Sequence, residues 1–329
     1  MAKKIVRKIQ KIGNSSYALV LPKDWVKELK IDRSGSLFIE EEGPRLIISP
    51  SDKVVEKEEL KYTIEVSDND KASLVSRVFI SAYLLGAKFI TVKSKEGKLH
   101  QSLKGELKKL AKELMIGIEV TEESVESITF QELVYWPSMN LNSLIRRMHN
   151  IALSMIRDSY AAILKGDQEI KLSVISSDSE VDRFYFYGIR VLNGILYNRE
   201  MLKSFGLKRY AHVLISKSLI KSIERIADHA VSIASSEIVL DNESSDFIDQ
   251  IYKRVTEVFE DIYEAQLYQD RKKANEIIEK VENIREEIGK AKPSIPKDVL
   301  EHFERIAEYT SDIAENIIDY SVSEELFSY

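Results

Sequence analysis

The sequence predicts a multidomain protein with a small β-rich unit, a small α/β domain and an all-helical body of two three-helix bundles. Three observations predict this fold class, and the first is the length of 329 residues, which allows two or three domains. The first part of the chain holds short apolar runs separated by Gly and Pro turn signals, which are typical of strands. Beyond Trp136-Pro137, apolar residues recur at helical spacing as far as the C-terminus. The predicted domains are residues 1–52, 60–135 and 138–329, the last divided into 138–240 and 243–329.

The β-rich unit is expected to contain short strands and one short helix. The strands fall at 4–12, 17–21, 37–40 and 45–48, and the helix at 24–29. Gly13-Asn14-Ser15-Ser16 gives the first turn, and Pro50 closes the unit. So few short elements bury too little surface to be stable alone. We therefore expect residues 1–52 to pair with a second copy and to form a homodimer.

Charge is distributed unevenly along the chain. The formal net charge is −6, which argues against a surface that coats nucleic acid generally. Residues 1–30 hold eight basic and two acidic side chains, whereas residues 31–60 hold four basic and eight acidic ones. A local block of positive charge is where a polyanion such as DNA docks, and the alternative is a solvated strand face.

The second segment has the pattern of a small α/β domain. Its strands are expected at 61–66, 88–92, 116–120 and 127–133, and its helices at 71–85 and 99–114. A Gly-rich phosphate loop is absent from its sequence, and so is a catalytic constellation. Spacing and dimerisation are both open as its role.

The helical body contains an internal repeat. Its helices are expected at 141–165, 177–198, 208–239, 247–269, 271–290 and 296–326. The sequence Ile223–His229 matches Phe303–Tyr309 at an offset of 80, and Val181-Asp182 matches Val281-Glu282 at an offset of 100. Two different offsets indicate different loop lengths, so the simplest interpretation is two three-helix bundles.

Paired carboxylates are the candidate metal ligands. Glu224 and Asp228 share a helix face at the edge of the apolar stripe, where two like charges repel each other and resist desolvation. A bound cation would compensate for both effects, and the alternative is a solvated pair neutralised by Arg225 or Arg305. Oxygen ligands suit Mg, Mn or Fe, and Zn is kept among the candidates. The predicted ligands are Asp178, Asp182, Glu224, Asp228, Glu282, Glu304 and Glu308.

Several classes of protein are disfavoured by composition. Cysteine is absent, which excludes disulfide scaffolds and thiolate metal sites and favours a cytoplasmic location. The longest apolar stretch, Val78–Val92, contains Lys88 and is shorter than the roughly 20 residues of a membrane span, so membrane insertion is not expected. The Glu-x-x-His motif of di-iron enzymes precedes none of the histidines, so the chain is not predicted to be an enzyme.

The first segment resembles the AbrB/SpoVT family of swapped-hairpin domains. The resemblance rests on Arg7–Gly13, Leu21-Pro22-Lys23 and Ile48-Ser49-Pro50. It implies an intertwined dimeric β barrel that binds DNA through basic residues. Two arginine positions of the family's repressors are Asn14 and Val26 here. The resemblance and the basic block together give five candidate DNA-binding residues, which are Lys4, Arg7, Lys8, Lys11 and Lys27.

The helical body resembles the PhoU family of phosphate-signalling regulators. The matching sequences are Asp178-x-x-Val181-Asp182, Glu224–His229 and Glu304–Glu308. The resemblance implies two three-helix bundles that bind metal clusters through acidic pairs. In the second bundle, Ile278 stands four residues before Glu282, where the pattern has an acid.

A chain that combines an AbrB/SpoVT-like head with a PhoU-like body is similar to archaeal phosphate uptake regulators. The two resemblances imply a dimeric regulator of phosphate homeostasis with a DNA-binding head and a metal-binding body, which acts with a phosphate transporter or a signalling protein. The alternative is a metal-dependent signalling adaptor of the transporter, in which the head dimerises and has no DNA-binding role.

Overall fold

The computed structural model divides the chain into two compact units, with the boundary along the sequence between residues 59 and 60. The residues that the structure describes are 5–28, 31, 35–42, 45–50, 60–133, 139–197, 200–238 and 241–326. The predicted fold class is confirmed: a small β-rich N-terminal part is followed by an α/β part and a helical body. Exchange of hairpins between two chains stays a prediction, and so do the domain boundaries.

The first unit consists of two antiparallel hairpins and a short helix. Strand β1 (Ile9–Ile12) pairs with β2 (Ser16–Leu19), helix α1 spans Lys23–Glu28, and β3 (Leu37–Glu42) pairs with β4 (Arg45–Pro50). The turn between β1 and β2 places Gly13 at φ 65°, a left-handed conformation that favours glycine. None of the described residues in this unit is buried. Its exposed apolar side chains include Val6, Ile9, Ile12, Tyr17, Phe38, Ile39 and Leu46.

The α/β part forms one mixed sheet with helices packed on it. Its elements are β5 (Lys61–Val66), α2 (Ala72–Leu84), β6 (Phe89–Ser94), α3 (Gln101–Leu114), β7 (Ile118–Glu123) and β8 (Ser127–Glu132). The strand order is β5-β6-β8-β7, with β5 and β6 parallel and the other pairs antiparallel. The alternate residues Ile90, Val92, Ile128 and Phe130 point into its core, as a sheet covered on one face requires.

The helical body contains long amphipathic helices. They are α4 (Leu141–Lys165), α5 (Gln168–Ile195), the short α6 (Glu200–Ser204), α7 (Ala211–Ser235), α8 (Asn242–Tyr268), α9 (Arg271–Gly289) and α10 (Lys297–Leu326). Helices α4, α5 and α7 contact one another and form the first bundle, and α8, α9 and α10 form the second. Contacts of α7 with α10 and of α4 with α8 join both bundles through one hydrophobic core. Among the described helices, none combines the length and the apolar character needed to cross a membrane.

Two helices begin earlier than the sequence pattern predicts, because aspartates cap them. The Asp167 carboxylate accepts hydrogen bonds from the backbone N–H groups of Glu169 and Ile170, so α5 begins at residue 168 and not at 177. The Asp241 carboxylate accepts from the Ser244 N–H, so α8 begins at residue 242 and not at 247. Capping satisfies backbone donors that have no partner inside the helix, and it contributes about 1 kcal/mol.

A buried ion pair attaches α5 to the α/β part. Arg190 and Glu132 lie 3.0 Å apart, with side chains that are 2% and 7% exposed. The guanidinium also donates to the carbonyl of Ala87 at 3.1 Å and to that of Tyr83. Burial raises the pKa of Glu132, and the charge of Arg190 opposes that rise. Helix α5 is therefore held by the α/β part near one end, while its other half carries predicted metal ligands.

Candidate metal centre and nucleic-acid interface

Four of the predicted metal ligands lie together on α5 and α7. Asp178 and Asp182 on α5 face Glu224 and Asp228 on α7, and these four residues are called the acidic cluster. Burial and then the charges of Asp228 and Glu224 raise the pKa of Asp178 to about 6. Burial and then the charges of Asp178 and Asp228 raise the pKa of Asp182 to about 6. The cluster thus concentrates negative charge in a half-buried place, where ionisation is costly.

Burial also raises the pKa values of Glu224 and Asp228, and Glu224 is the more deeply buried of the two. Only 8% of the Glu224 surface is exposed, and burial is the largest cause that raises its pKa. Burial also raises the pKa of Asp228, against the opposing charges of Lys221 and Arg225. The edge-of-stripe position inferred from the sequence is consistent with this partial burial of both residues.

Lys221 is a residue of this site that the sequence analysis missed. Its ammonium group lies 2.5 Å from both carboxylate oxygens of Glu224 and 4.7 Å from the centre of the Tyr185 ring. The Arg225 guanidinium lies 3.9 Å from the Asp228 carboxylate, a longer distance than that between Lys221 and Glu224. The spacing of Lys221 and Glu224, three residues apart on a helix, was the available signal. Lys221 and Arg225 together bring two positive charges to the four carboxylates of the cluster, which leaves the carboxylates in net excess.

The donor set of the acidic cluster fits a hard cation. Asp178 Oδ1 is buried and accepts no hydrogen bond from the protein, so it has a lone pair that a cation would satisfy. Carboxylate oxygens are the ligands that Mg²⁺ and Mn²⁺ prefer. As the side chains stand, however, no three His, Asp or Glu residues within the described ranges lie close enough to hold a metal ion. Metal binding here therefore requires movement of Lys221 and of the carboxylates.

The predicted ligands of the second bundle are arranged differently. The Arg285 side chain lies 3.1 Å from Glu308 and 3.4 Å from Glu304, and Arg305 donates to Glu308 at 2.7 Å. Glu282 on α9 is exposed. Arginines therefore pair with the carboxylates of α10, and the alternative of neutralisation by Arg305 holds at this site.

Two histidines meet between the bundles, a contact that the sequence analysis did not find. The Nδ1 atoms of His229 on α7 and His302 on α10 are 3.0 Å apart. Burial, followed by the charges of His302, Arg305 and Arg225, lowers the pKa of His229 to about 4. These histidines come from different repeats, so no local spacing in the sequence indicated the pair.

Four of the five predicted DNA-binding residues lie in the described part of the first unit. Arg7 and Lys8 precede β1, Lys11 lies within it, Lys27 lies on α1, and all four side chains are exposed. Lys4 lies outside the described residues. On β1 and β2, Ile9, Lys11, Tyr17 and Leu19 share one face, because Ile9 pairs with Leu19 and Lys11 with Tyr17. Basic and apolar side chains are therefore mixed on this hairpin.

Two segments of the chain match models of known protein families. Residues 145–236, which cover most of the first bundle, match the family model of the PhoU domain. Residues 10–56 match the family model of MazE, described as antidote-toxin recognition, bacterial antitoxin.

Individual relatives resemble the helical body. The phosphate-specific transport system accessory protein PhoU homolog of Borreliella burgdorferi is 26% identical over 162 residues, covering 46% of this chain and 71% of the relative. The PhoU structure from Streptococcus pneumoniae has a TM-score of 0.45 and 20% identity, covering 56% of this chain and 94% of that one. PhoU from Pseudomonas aeruginosa has a TM-score of 0.46 and 16% identity, covering 56% and 96%. The chain is thus PhoU-like in its helical body, with an N-terminal segment similar to a MazE antitoxin domain.

Proposed function

We propose that this protein regulates phosphate uptake as a dimer, with a metal-binding helical body and a DNA-binding head. The acidic cluster carries the proposal, because all four of its residues lie inside the segment that matches the PhoU domain. The relative from Borreliella burgdorferi is named as an accessory protein of a phosphate-specific transport system. The proposed partner is accordingly a phosphate transporter or a signalling protein that acts with it.

Asp178, Asp182, Glu224 and Asp228 would hold the metal ion. A bound divalent cation would supply positive charge to carboxylates whose mutual repulsion and burial now raise their pKa values. Lys221 already supplies one such charge to Glu224. Fe, Mn, Mg and Zn remain candidates. Sites at Glu282, Glu304 and Glu308 remain a weaker proposal, because Arg285 and Arg305 pair with the last two.

The metal site is tested by metal analysis of the full chain. After equilibration with Mn²⁺ or Mg²⁺ and removal of free ion, we expect the wild-type protein to retain metal and the E224A/D228A variant to lose most of it. The matched control is E257A/D261A on α8, which has the same spacing but pairs with Lys280. Equal metal content in all three proteins would show that the acidic cluster is not the site.

The regulatory role is tested in the native host. Cells that lack the gene are expected to take up phosphate faster when phosphate is abundant, and the wild-type gene is expected to restore the lower rate. Complementation with E224A/D228A is expected to fail, and complementation with E257A/D261A to succeed. Unchanged uptake after deletion would remove the phosphate role, whatever the metal content of the protein.

Dimerisation of the head is supported by its exposed apolar surface. Phe38 is 58% exposed and Ile39 is 62% exposed, and each such side chain gains about 1.5–3 kcal/mol when fully buried. In sedimentation, F38D is therefore expected to shift the full chain from dimer to monomer. V125D, at a residue 67% exposed in the α/β part, is the control that leaves the dimer intact.

Binding to DNA separates the two candidate functions. We expect the full chain to bind a duplex from upstream of the phosphate transporter genes, with affinity that falls steeply as salt rises. R7A/K8A is expected to weaken binding, whereas K95A/K98A, which removes two exposed lysines of the α/β part, serves as the control. Absence of binding at low salt would favour the second candidate, a metal-dependent adaptor whose head only dimerises.

A further inference from the structure

A cavity of about 460 Å³ lies where the two bundles meet, away from the acidic cluster. Its walls come from α4, α7, α8 and α10, so both bundles contribute to it. We call it the end cavity, and the lining residues that matter here are Asn142, Ser216, Gln266, Gln269, Asn316 and Tyr320. Leu141, Ile145, Leu219 and Ile317 give it an apolar side. A concave site that combines aliphatic walls with a few polar groups is the usual form of a small-molecule site.

Two buried polar side chains in the end cavity lack protein partners at one atom each. Ser216 is 2% exposed, and its hydroxyl makes no hydrogen bond with the protein. Gln266 is 4% exposed, and its Oε1 atom is likewise without a hydrogen bond. Buried polar groups are nearly always hydrogen-bonded, because an unsatisfied group loses its hydration without compensation. Both atoms therefore indicate a polar occupant.

The backbone at the rim of the same cavity is strained. Gln269 follows α8 with φ 52°, and it is the non-glycine residue with positive φ within the described part of the chain. Its side-chain amide donates to the Gln266 carbonyl at 2.6 Å, and its Oε1 atom is buried without a hydrogen bond. Glycine or asparagine is the usual residue in this conformation at a helix end. A glutamine held there places a third hydrogen-bonding group at the cavity.

The charges around the end cavity disfavour an anion. The charged lining residues are Lys208, Glu324 and Glu325. Lys208 is paired with Glu324, and Arg271 lies 3.1 Å from Glu325. The remaining polar lining consists of amides and hydroxyls, which match neutral donors and acceptors. Side-chain amides pair with the edges of nucleobases, and an aromatic ring such as that of Tyr320 offers a stacking surface.

We propose that the end cavity binds a neutral nucleoside. The amides of Gln266 and Gln269 and the Ser216 hydroxyl would bond its N–H and O–H groups, and the aliphatic wall and Tyr320 would contact the base. Because the cavity spans the two bundles, occupancy would stabilise their mutual packing. This inference is independent of the metal site and of the phosphate role.

The test is calorimetric titration of the full chain with adenosine, guanosine, cytidine and uridine, each beside its 5′-monophosphate. We expect at least one nucleoside to bind and to do so more tightly than its monophosphate. S216A and Q266L are each expected to weaken that binding by about tenfold, the equivalent of one lost hydrogen bond. The matched controls S177A and Q250L change a partly buried serine on α5 and an exposed glutamine on α8, neither of which lines the end cavity, and should leave affinity unchanged.

Three outcomes would overturn the proposal. The first is no binding of any of the four nucleosides at millimolar concentration, and the second is binding that neither S216A nor Q266L weakens. The third is tighter binding of the monophosphates, which would mean that the site selects an anion. S216A removes a single oxygen atom, so it keeps the test valid even where Q266L disturbs folding.

Discussion

The two three-helix bundles carry the same acidic spacing but differ in what the facing helix contributes. In the first bundle, Glu224 and Asp228 pair with Lys221 and Arg225 of their own helix, and the facing helix α5 adds two more carboxylates. In the second, Glu304 and Glu308 face Arg285 from the neighbouring helix. One bundle therefore keeps an excess of carboxylate charge, whereas the other places an arginine of the facing helix at the same position. The residue on the facing helix decides which outcome the motif has.

The bundles also contain ion pairs that differ in how deeply they are buried. The ion pair of Arg190 with Glu132, on the first bundle, is almost fully buried, whereas the Arg285 side chain in the second is 51% exposed. Removing one partner of a buried pair leaves an uncompensated charge, but exposed pairs contribute little because water already solvates them. The comparison between the bundles is thus also a comparison of charges in two dielectric environments.

The largest expected effect comes from Arg190. R190A leaves the Glu132 carboxylate and the carbonyls of Tyr83 and Ala87 buried without their donor, so we expect the free energy of unfolding to fall by about 3–5 kcal/mol. R285A is expected to cost less than about 1 kcal/mol. Chemical denaturation of both variants measures the difference. Equal losses would mean that burial does not distinguish the bundles.

Single carboxylates should have effects of opposite sign in the two bundles. Without metal, D178N removes one charge from the acidic cluster, and we expect it to raise the free energy of unfolding at pH 7 by about 1–2 kcal/mol. E308Q removes the partner of Arg285 and Arg305, and we expect a loss of less than about 1 kcal/mol. Thermal unfolding in a chelating buffer checks both values. Destabilisation by D178N would contradict the proposed repulsion.

The junction between the bundles should weaken in acid. His149 on α4 bonds the Phe259 carbonyl of α8 at 2.6 Å, and burial lowers its pKa below the ordinary 6.5. Below pH 6.5 the unfolded chain therefore binds a proton at His149 that the folded chain does not, so the contribution of His149 to stability falls as pH falls. The raised pKa values of Asp178 and Asp182 act in the opposite direction. We expect a loss on the order of 1 kcal/mol between pH 7 and pH 5.

Two histidine variants isolate that contribution. H149Q is expected to lose less stability between pH 7 and pH 5 than the wild-type protein, because glutamine does not titrate. H100Q, at an exposed histidine of the α/β part, should leave the dependence as it is in the wild-type protein. An unchanged slope in H149Q would assign the acid sensitivity to other groups.

Sequence patterns predicted the classes of structure but not the partners of side chains. Apolar periodicity located the helices, and repeated acids indicated Asp178, Asp182, Glu224 and Asp228 as candidate ligands. The same reasoning made Glu304 and Glu308 candidate ligands, and nothing local in the sequence shows that Arg285 lies across from them. The contact of His229 with His302 was missed for the same reason. Tertiary neighbours that are distant along the chain determine the charge balance of a site.

The helix N-termini are capped in the same way in both bundles, although the charges around the acidic pairs differ. Asn140 and Asp241 cap α4 and α8, and Asp167 and Asp270 cap α5 and α9, each by accepting backbone hydrogen bonds. Since capping depends on residues adjacent in the sequence, it is retained where the pairing of helix faces diverges. The two bundles are therefore alike in how their first two helices begin and different in the charges that face their acidic pairs.

The smallest predicted effect tests a difference at one such helix end. Helix α4 is followed by Gly166 at φ 61°, whereas α8 is followed by Gln269 at φ 52°. A left-handed conformation disfavours a residue with a Cβ atom, so we expect Q269G to raise the free energy of unfolding by roughly 0.5–1 kcal/mol and G166Q to lower it by a similar amount. Denaturation curves measure both. If Q269G instead destabilises the protein, the glutamine side chain stabilises this helix end by more than the strain costs. If Q269G stabilises the protein and weakens nucleoside binding, the strained glutamine contributes to binding in the end cavity.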